Sequence, residues 1–295
     1  MNILVIGSAN ADMVIRTDKA PMLGETVSGH DFSVNAGGKG LNQAVAISKL
    51  GGKVSFLGLV GNDANGTMLK NTLNEYKVDF SGKALDGVST GVAVITVVGA
   101  DNSIVLNEGA NGCITPEFIE VNRELIENAD YIVLQLEIPV ATIVKICEMA
   151  KGKAKIILNP APYKELPDSV YKATDYLIPN EHEAKDITGI TLNSRENCIE
   201  TVKKLKALGA ANVIITLGDK GSVYSYKNDV IFHPSENVVA VDTTSAGDSF
   251  IGALTVMLCN GKTLPEAINF ATKVSAITVS RKGAAKSIPF IDEVL

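Results

Sequence analysis

Short, nearly unbroken apolar runs recur along this chain, each separated from the next by turn residues or by helical periodicity. They read "NILVIG" (2–7), "VSFLGLV" (54–60), "YIVLQLE" (131–137), "KIILN" (155–159), "DYLIP" (175–179) and "NVIITLG" (212–218). A strand without polar alternation has no face to give to water, so both sides of its sheet must be covered. The segments between supply the cover: helical patterns span 39–51, 64–76, 116–128, 140–151, 195–208, 247–260 and 265–281. The fold class that follows is α/β, a central mostly parallel sheet with helices on both faces. With 46% hydrophobic residues there is material for such a core, and without a linker or repeat the 295 residues read as one domain.

Residues 11–36 and 91–107 break the pattern. They alternate like half-exposed strands, and "VITVVGADNSIVL" has the form of a hairpin. They form either a small second sheet, placed as a lid over the carboxyl ends of the main strands, or an antiparallel extension of the main sheet's edge. Sequence leaves both open.

Bulk charge excludes some partners. Acids outnumber bases 33 to 27, for a net charge of −6, and no basic block stands out, which argues against nucleic acid. No apolar run reaches the roughly 18 residues of a membrane span. The four cysteines, Cys113, Cys147, Cys198 and Cys259, form no CxxC pair and read as reduced core thiols. "MNILVIGSANAD" lacks a basic leader and reads as a first strand rather than a signal peptide, so a cytoplasmic protein is expected.

The densest chemistry lies in "VDTTSAGDSFIGAL" (241–254). Ser245-Ala-Gly-Asp248 fits a capping box at a helix start, which would account for two of its residues. It leaves Asp242 and the tiny pair Ala246-Gly247 unexplained. Free amides opening a helix bind anions, and an aspartate on that first turn can take a proton from an attacking hydroxyl. A second cluster, "NAGGKGLNQA" (35–44), carries Gly37 and Gly38 into a helix whose first turn holds Lys39, Asn42 and Gln43. Lys39 and Asn42 are three apart and share a face, which suits a polyhydroxyl ligand. Asn10 and Asp12 in "GSANAD" and Glu137 in "QLE" stand at carboxyl ends of predicted strands, where α/β proteins place ligands. Asn180 and Glu183 in "PNEHEA" share another helix start, suited to phosphate-bound magnesium reached through water. "TLGDKG" (216–221) is either a nucleotide-approaching turn or a plain hairpin. Walker, GxGxxG, GxSxG and HExxH motifs are all missing from the chain.

"GGKGLNQA" and "DTTSAGDSFIGAL" resemble the two signatures of the ribokinase-like family of carbohydrate kinases, "PNEHEA" its NxxE motif, and "SRKGAAKS" (280–287) its cation-loop segment. The resemblance covers essentially the whole chain. It implies a doubly covered α/β sheet with a small β lid, and ATP-dependent phosphorylation of D-ribose at the 5-hydroxyl. Asp248 would be the base, and the amides of Ala246, Gly247 and Asp248 the anion hole. Sugar contacts would come from Asn10, Asp12, Gly38, Lys39, Asn42, Glu137 and Asp248. ATP would meet Asn180, the Thr216–Gly221 turn with Gly218 and Gly221, and Gly247, with Glu183 acting on Mg2+. A monovalent cation, K+, would be held by Asp242, by the carbonyls of Thr244, Thr278, Arg281 and Gly283, and by Ser287. The family also implies a homodimer through the lid. Ser245 and Leu41 depart from residues common in the family and bear on substrate preference. The alternatives are a kinase of 2-deoxyribose, fructose or adenosine, and a non-catalytic sugar or nucleotide sensor on the same fold.

Overall fold

The computed structural model describes residues 1–99 and 101–295; Ala100, inside the predicted hairpin, lies outside the described residues. The main sheet has nine strands. Their order across the sheet is Asp229–His233, Ser222–Tyr226, Asn212–Thr216, Tyr176–Leu177, Lys155–Asn159, Tyr131–Gln135, Ile3–Ile6, Val54–Leu57 and Asp79–Phe80. From Asn212–Thr216 onward every pairing is parallel; the first two pairings are antiparallel, so Ser222–Tyr226 alone runs against the others.

Side chains alternate between two cores, as the two-residue period of a strand requires. Ile3, Val5, Val133, Ile157 and Ile214 pack with the helices Lys39–Lys49, Ala246–Cys259 and Leu264–Val279. Leu4, Ile6, Ile132, Leu134, Leu158 and Ile215 pack with Val140–Ala150 and Arg195–Ala207 on the opposite face. Because the strands are parallel, Ser8 to Asn10, Glu137, Asn159, Asn180 and Thr216 all emerge at one edge.

Local chemistry explains where the sequence reading needs correction. The run 54–60 is two strands: Val54–Leu57 stays in the main sheet, whereas Leu59–Gly61 pairs with Lys83–Leu85. Between them the Gly58 carbonyl packs so tightly on Gly82 that a Cβ there would collide with it. The predicted helix 116–128 breaks at Asn122, whose side chain donates to the Phe118 carbonyl at 2.8 Å. The helix Asp168–Ala173 has only six residues, too few to show a period, and Glu181–Thr188 is the helix whose start is read in "PNEHEA".

Residues 11–36 and 91–107 form a separate sheet, not an edge extension. Its order is Gly29–Gly37, Asn10–Thr17, Gly91–Val98, Asp101–Asn107, with a parallel pair at the centre and antiparallel pairs outside. The strand Asp101–Asn107 is exposed along its length. Among the described residues no helix is long and apolar enough to cross a membrane.

Candidate active site

The helix Ala246–Cys259 starts in an unusual way. Ser245 adopts a left-handed backbone (φ 60°), and its hydroxyl caps nothing and is buried without a partner. The capping box read from Ser245 and Asp248 is therefore absent. The Ala246 N–H turns back onto the Thr243 carbonyl at 3.2 Å, so it does not join the expected anion hole in this conformation. Among the described residues the N–H groups of Gly247 and Asp248 have no backbone acceptor. They are the orphan donors that make a helix start attractive to anions. A Cβ on Gly247 would meet nothing within 4 Å, so the space in front of these amides is open.

Asp248 is 8% exposed and faces away from the cap position. Its Oδ2 accepts from Asn42 Nδ2 at 3.2 Å and its Oδ1 from Gln43 Nε2 at 2.9 Å. The Gln43 amide is oriented in turn, because its Oε1 accepts from Gln135 Nε2 at 2.6 Å. Gln43 Nε2 also approaches Asn159 Oδ1 at 3.4 Å, and Asn159 donates to the Ile178 carbonyl at 3.0 Å. A carboxylate held by two donors has fixed geometry and lone pairs left for a hydroxyl. Gln135 and Asn159 escaped the sequence reading; the one available signal was a polar residue closing an otherwise apolar strand.

Glu137 ties the second cluster together. Its Oε2 accepts from Ser8 Oγ, from Asn10 Nδ2 at 3.4 Å and from the backbone N–H of Lys39 at 3.2 Å. The last bond places a carboxylate at the start of the helix Lys39–Lys49. Gly38 (φ 89°) allows the close approach, since a Cβ there would lie 2.8 Å from the Asn10 nitrogen. Any Cβ on Gly37 would strike the Asp12 carboxylate. Burial, with the charges of Glu137 and Asp248, pushes the Asp12 pKa up to about 7. Burial opposes the charge on Lys39, but Asp248, Glu137 and Glu183 outweigh it and hold the ammonium above the usual lysine value. Asn10, Asp12, Gly38, Lys39, Asn42 and Glu137 thus gather on one side of Asp248.

On the other side lies a cavity of about 950 Å³, bordered by Lys39, Asn180, Glu183, Thr216, Gly218 and Gly221, and by Ala246, Gly247 and Asp248. Asn180 and Glu183 do share a face, but they bond each other. Asn180 Oδ1 accepts from the Glu183 N–H at 2.9 Å and Glu183 Oε2 from the Asn180 N–H at 2.8 Å, a complete capping box. Burial raises the Glu183 pKa. Glu183 borders the cavity with Glu181, Asp219, Glu236 and Asp248, and such carboxylates suit a magnesium ion that keeps its waters and is held mainly by phosphates. The turn after Thr216 is a hairpin into Ser222–Tyr226, the second of the two sequence readings, and its Gly218 and Gly221 border the cavity.

The Asp242 group lies behind the helix start and does not border the cavity. Asp242 accepts from the Thr244 N–H and the Gly283 N–H, both at 3.0 Å. Burial works against its charge, yet these bonds hold its pKa below the usual carboxylate range. Ser287 is buried and donates to the Ala284 carbonyl at 2.8 Å, and the Thr278 carbonyl accepts from the Arg281 N–H at 3.2 Å. Lys49 Nζ ties the same loop down through the carbonyls of Ala285 and Lys286. An oxygen set with one charged member fits a monovalent cation better than a divalent one. Among the described residues no cluster of His, Cys, Asp and Glu could hold a metal ion.

Comparison with known proteins bears on this geometry. Residues 1–291 match the pfkB family of carbohydrate kinases. The ribokinase of Schizosaccharomyces pombe is 41% identical, over 100% of this chain and 96% of that protein. The deoxyribokinase of Salmonella typhimurium is 34% identical, over 99% and 97%. The structure of Arabidopsis thaliana ribokinase complexed with ribose and ATP superposes with a TM-score of 0.93 at 32% identity, covering 99% of this chain and 96% of that one.

Proposed function

The chain belongs to the pfkB family of carbohydrate kinases, and on that premise we propose that it transfers the γ-phosphoryl group of ATP to the 5-hydroxyl of D-ribose, giving D-ribose 5-phosphate and ADP. The observation that carries this reading is the station of Asp248. Its carboxylate stands between a cluster of sugar-suited polar groups and a cavity of nucleotide size, beside two unpaired helix N–H groups.

In this reading Asp248 accepts the proton of the 5-hydroxyl as the oxygen attacks phosphorus. The N–H groups of Gly247 and Asp248 point at the transferring group and match the charge that develops on it, while Lys39 adds a full positive charge. A small rotation about Ser245 releases the Ala246 N–H from Thr243 and adds it to that set. Asn10, Asp12, Gly38, Asn42 and Glu137 hold the sugar. Asn180, Thr216, Gly218 and Gly221 would border the nucleotide, and Glu183 would hold magnesium through water. Asp242, Thr244, Thr278, Arg281, Gly283 and Ser287 would hold potassium, which supplies positive charge next to the anion site.

The second sheet acts as the lid. It exposes Val94 (46%) and Val105 (71%), which stand opposite each other on one face, and this supports pairing with a second copy of the chain. Sedimentation of the wild type against Val105→Asp tests the pairing: the variant should run as a monomer, and equal sedimentation removes this interface.

A coupled assay of ADP release with ribose, 2-deoxyribose, fructose and adenosine, with ATP and magnesium, with and without potassium, tests the activity. Ribose should give the highest kcat/KM and potassium should raise it. No turnover of ribose would overturn the reading.

A further inference from the structure

Asn111 lies in the turn Gly109–Cys113, just after the lid's outer strand, is 1% exposed and does not border the cavity. Its Oδ1 accepts the Ala9 N–H at 3.0 Å, and its Nδ2 donates to the Ala9 carbonyl at 3.3 Å. A backbone N–H can only donate and a carbonyl only accept, so this amide has a single orientation. The second Nδ2 proton meets Asn10 Oδ1 at 2.7 Å. Asn10 is thereby fixed as well: its oxygen faces Asn111, and its Nδ2 faces Glu137 at 3.4 Å with one proton free for a ligand. The two amides meet only because residue 91 is glycine, for a Cβ there would collide with both.

We propose that Asn111 is a positioning residue that decides between pentoses: through Asn10 it aims an N–H donor at the 2-hydroxyl and so favours ribose over 2-deoxyribose. This rests on the ribose kinase reading above. Were Asn10 reversed, its oxygen would face the Glu137 carboxylate, acceptor against acceptor, and no N–H would be offered to the sugar. In the orientation seen, a sugar without the 2-hydroxyl leaves a buried donor unpaired, which is the strong form of discrimination.

The test is a double-mutant cycle with Asn10→Ala, Asn111→Asp and both together, measuring kcat and KM for ribose and 2-deoxyribose and the melting temperature of each. Asn111→Asp keeps the acceptor for the Ala9 N–H but sets an oxygen against both the Ala9 carbonyl and Asn10 Oδ1. It should raise KM for ribose about tenfold, the scale of one lost hydrogen bond to a ligand. KM for 2-deoxyribose and both kcat values should stay within about twofold. On the Asn10→Ala background the same change should leave the sugar ratio unaltered. If Asn111→Asp melts out, Asn111→Ser, which lacks the amide that holds Asn10, takes its place with the same expectation. An unchanged ratio in the folded variant, or an equal fall in ratio without the Asn10 side chain, overturns the assignment. A wild type that turns over neither pentose sinks the kinase reading and this assignment with it.

Discussion

The two sides of Asp248 are built from different materials. Toward the cavity the groups offered to a ligand include main-chain N–H donors on the helix Ala246–Cys259, whose body is anchored in the core by its own Ile251, Leu254 and Val256. On the other side they are side chains: Asn10 and Asp12 on a strand of the second sheet, Glu137 beyond a strand of the main sheet, and Lys39, which opens a helix and borders the cavity as well. Backbone donors do not titrate and are indifferent to which alcohol attacks. Carboxylates and amides depend on pH and on one another's orientation. Changes on the first side should therefore appear in kcat, and changes on the second in KM and in the choice of sugar.

The largest effect should come from the residue the two sides share. Asp248→Asn keeps the shape of the carboxylate and removes its basicity, so kcat should fall about 10³-fold with ribose binding nearly intact. Isothermal titration with ribose beside steady-state rates separates the two, and near-normal turnover would end Asp248's role. Gly247→Ala tests the cavity side alone. Its Cβ meets no protein atom, so the variant should fold, with up to about 1 kcal/mol of added helix stability. The methyl group would stand where the phosphoryl group must approach, and kcat should drop about 10²-fold. Full activity in Gly247→Ala would mean that the open space before this helix is not the path of transfer. Asp242→Ala should abolish activation by potassium, about tenfold in kcat, the scale of a partly screened charge. A potassium titration of rate that matches the wild type would move the cation elsewhere.

How far each side can be read in sequence follows from the range of the forces that shape it. The parallel strands were legible because burial on both faces leaves a local mark, as in "IVLQLE". Asp248 stood out as a candidate because of the small residues around it. The box formed by Asn180 and Glu183 was legible as a pair, though not as a pair bonded to itself. The local S-x-x-D pattern at Ser245 misled, because Asn42 and Gln43 claim the Asp248 carboxylate from across the core. Asn111 to Ala9 spans 102 residues, Gln135 to Gln43 spans 92 and Gln43 to Asn159 spans 116. No periodicity or motif encodes such meetings; they exist only once the sheet has brought its strand ends to one edge. The alternation in 11–36 and 91–107 was visible, but not the choice between a second sheet and an edge. That choice turns on the parallel pairing of Asn10–Thr17 with Gly91–Val98, which a hairpin-based reading does not reach.

The smallest effect sharpens the contrast, because it concerns titration. Folding raises the Asp12 pKa from 3.8 to about 7, through burial first and then the charges of Glu137 and Asp248. Between those values the folded chain keeps a proton that the unfolded chain has lost, so Asp12's contribution to stability declines as pH rises from about 4 to about 7 and is level above. Ribose acts in the opposite direction. Under the proposed function its hydroxyl groups would donate to the carboxylate and stabilise the ionised form, so ribose should bind more tightly as pH rises through 7. Lys39, held above its usual value, keeps its charge across this window. KM for ribose should be up to about tenfold higher at pH 6 than at pH 8, the limit for one proton released on binding over one unit below the pKa. In Asp12→Asn, which cannot ionise, the profile should be flat. A KM that follows pH equally in both proteins would take the titration away from Asp12, and with it the claim that the sugar side, unlike the helix side, answers to protons.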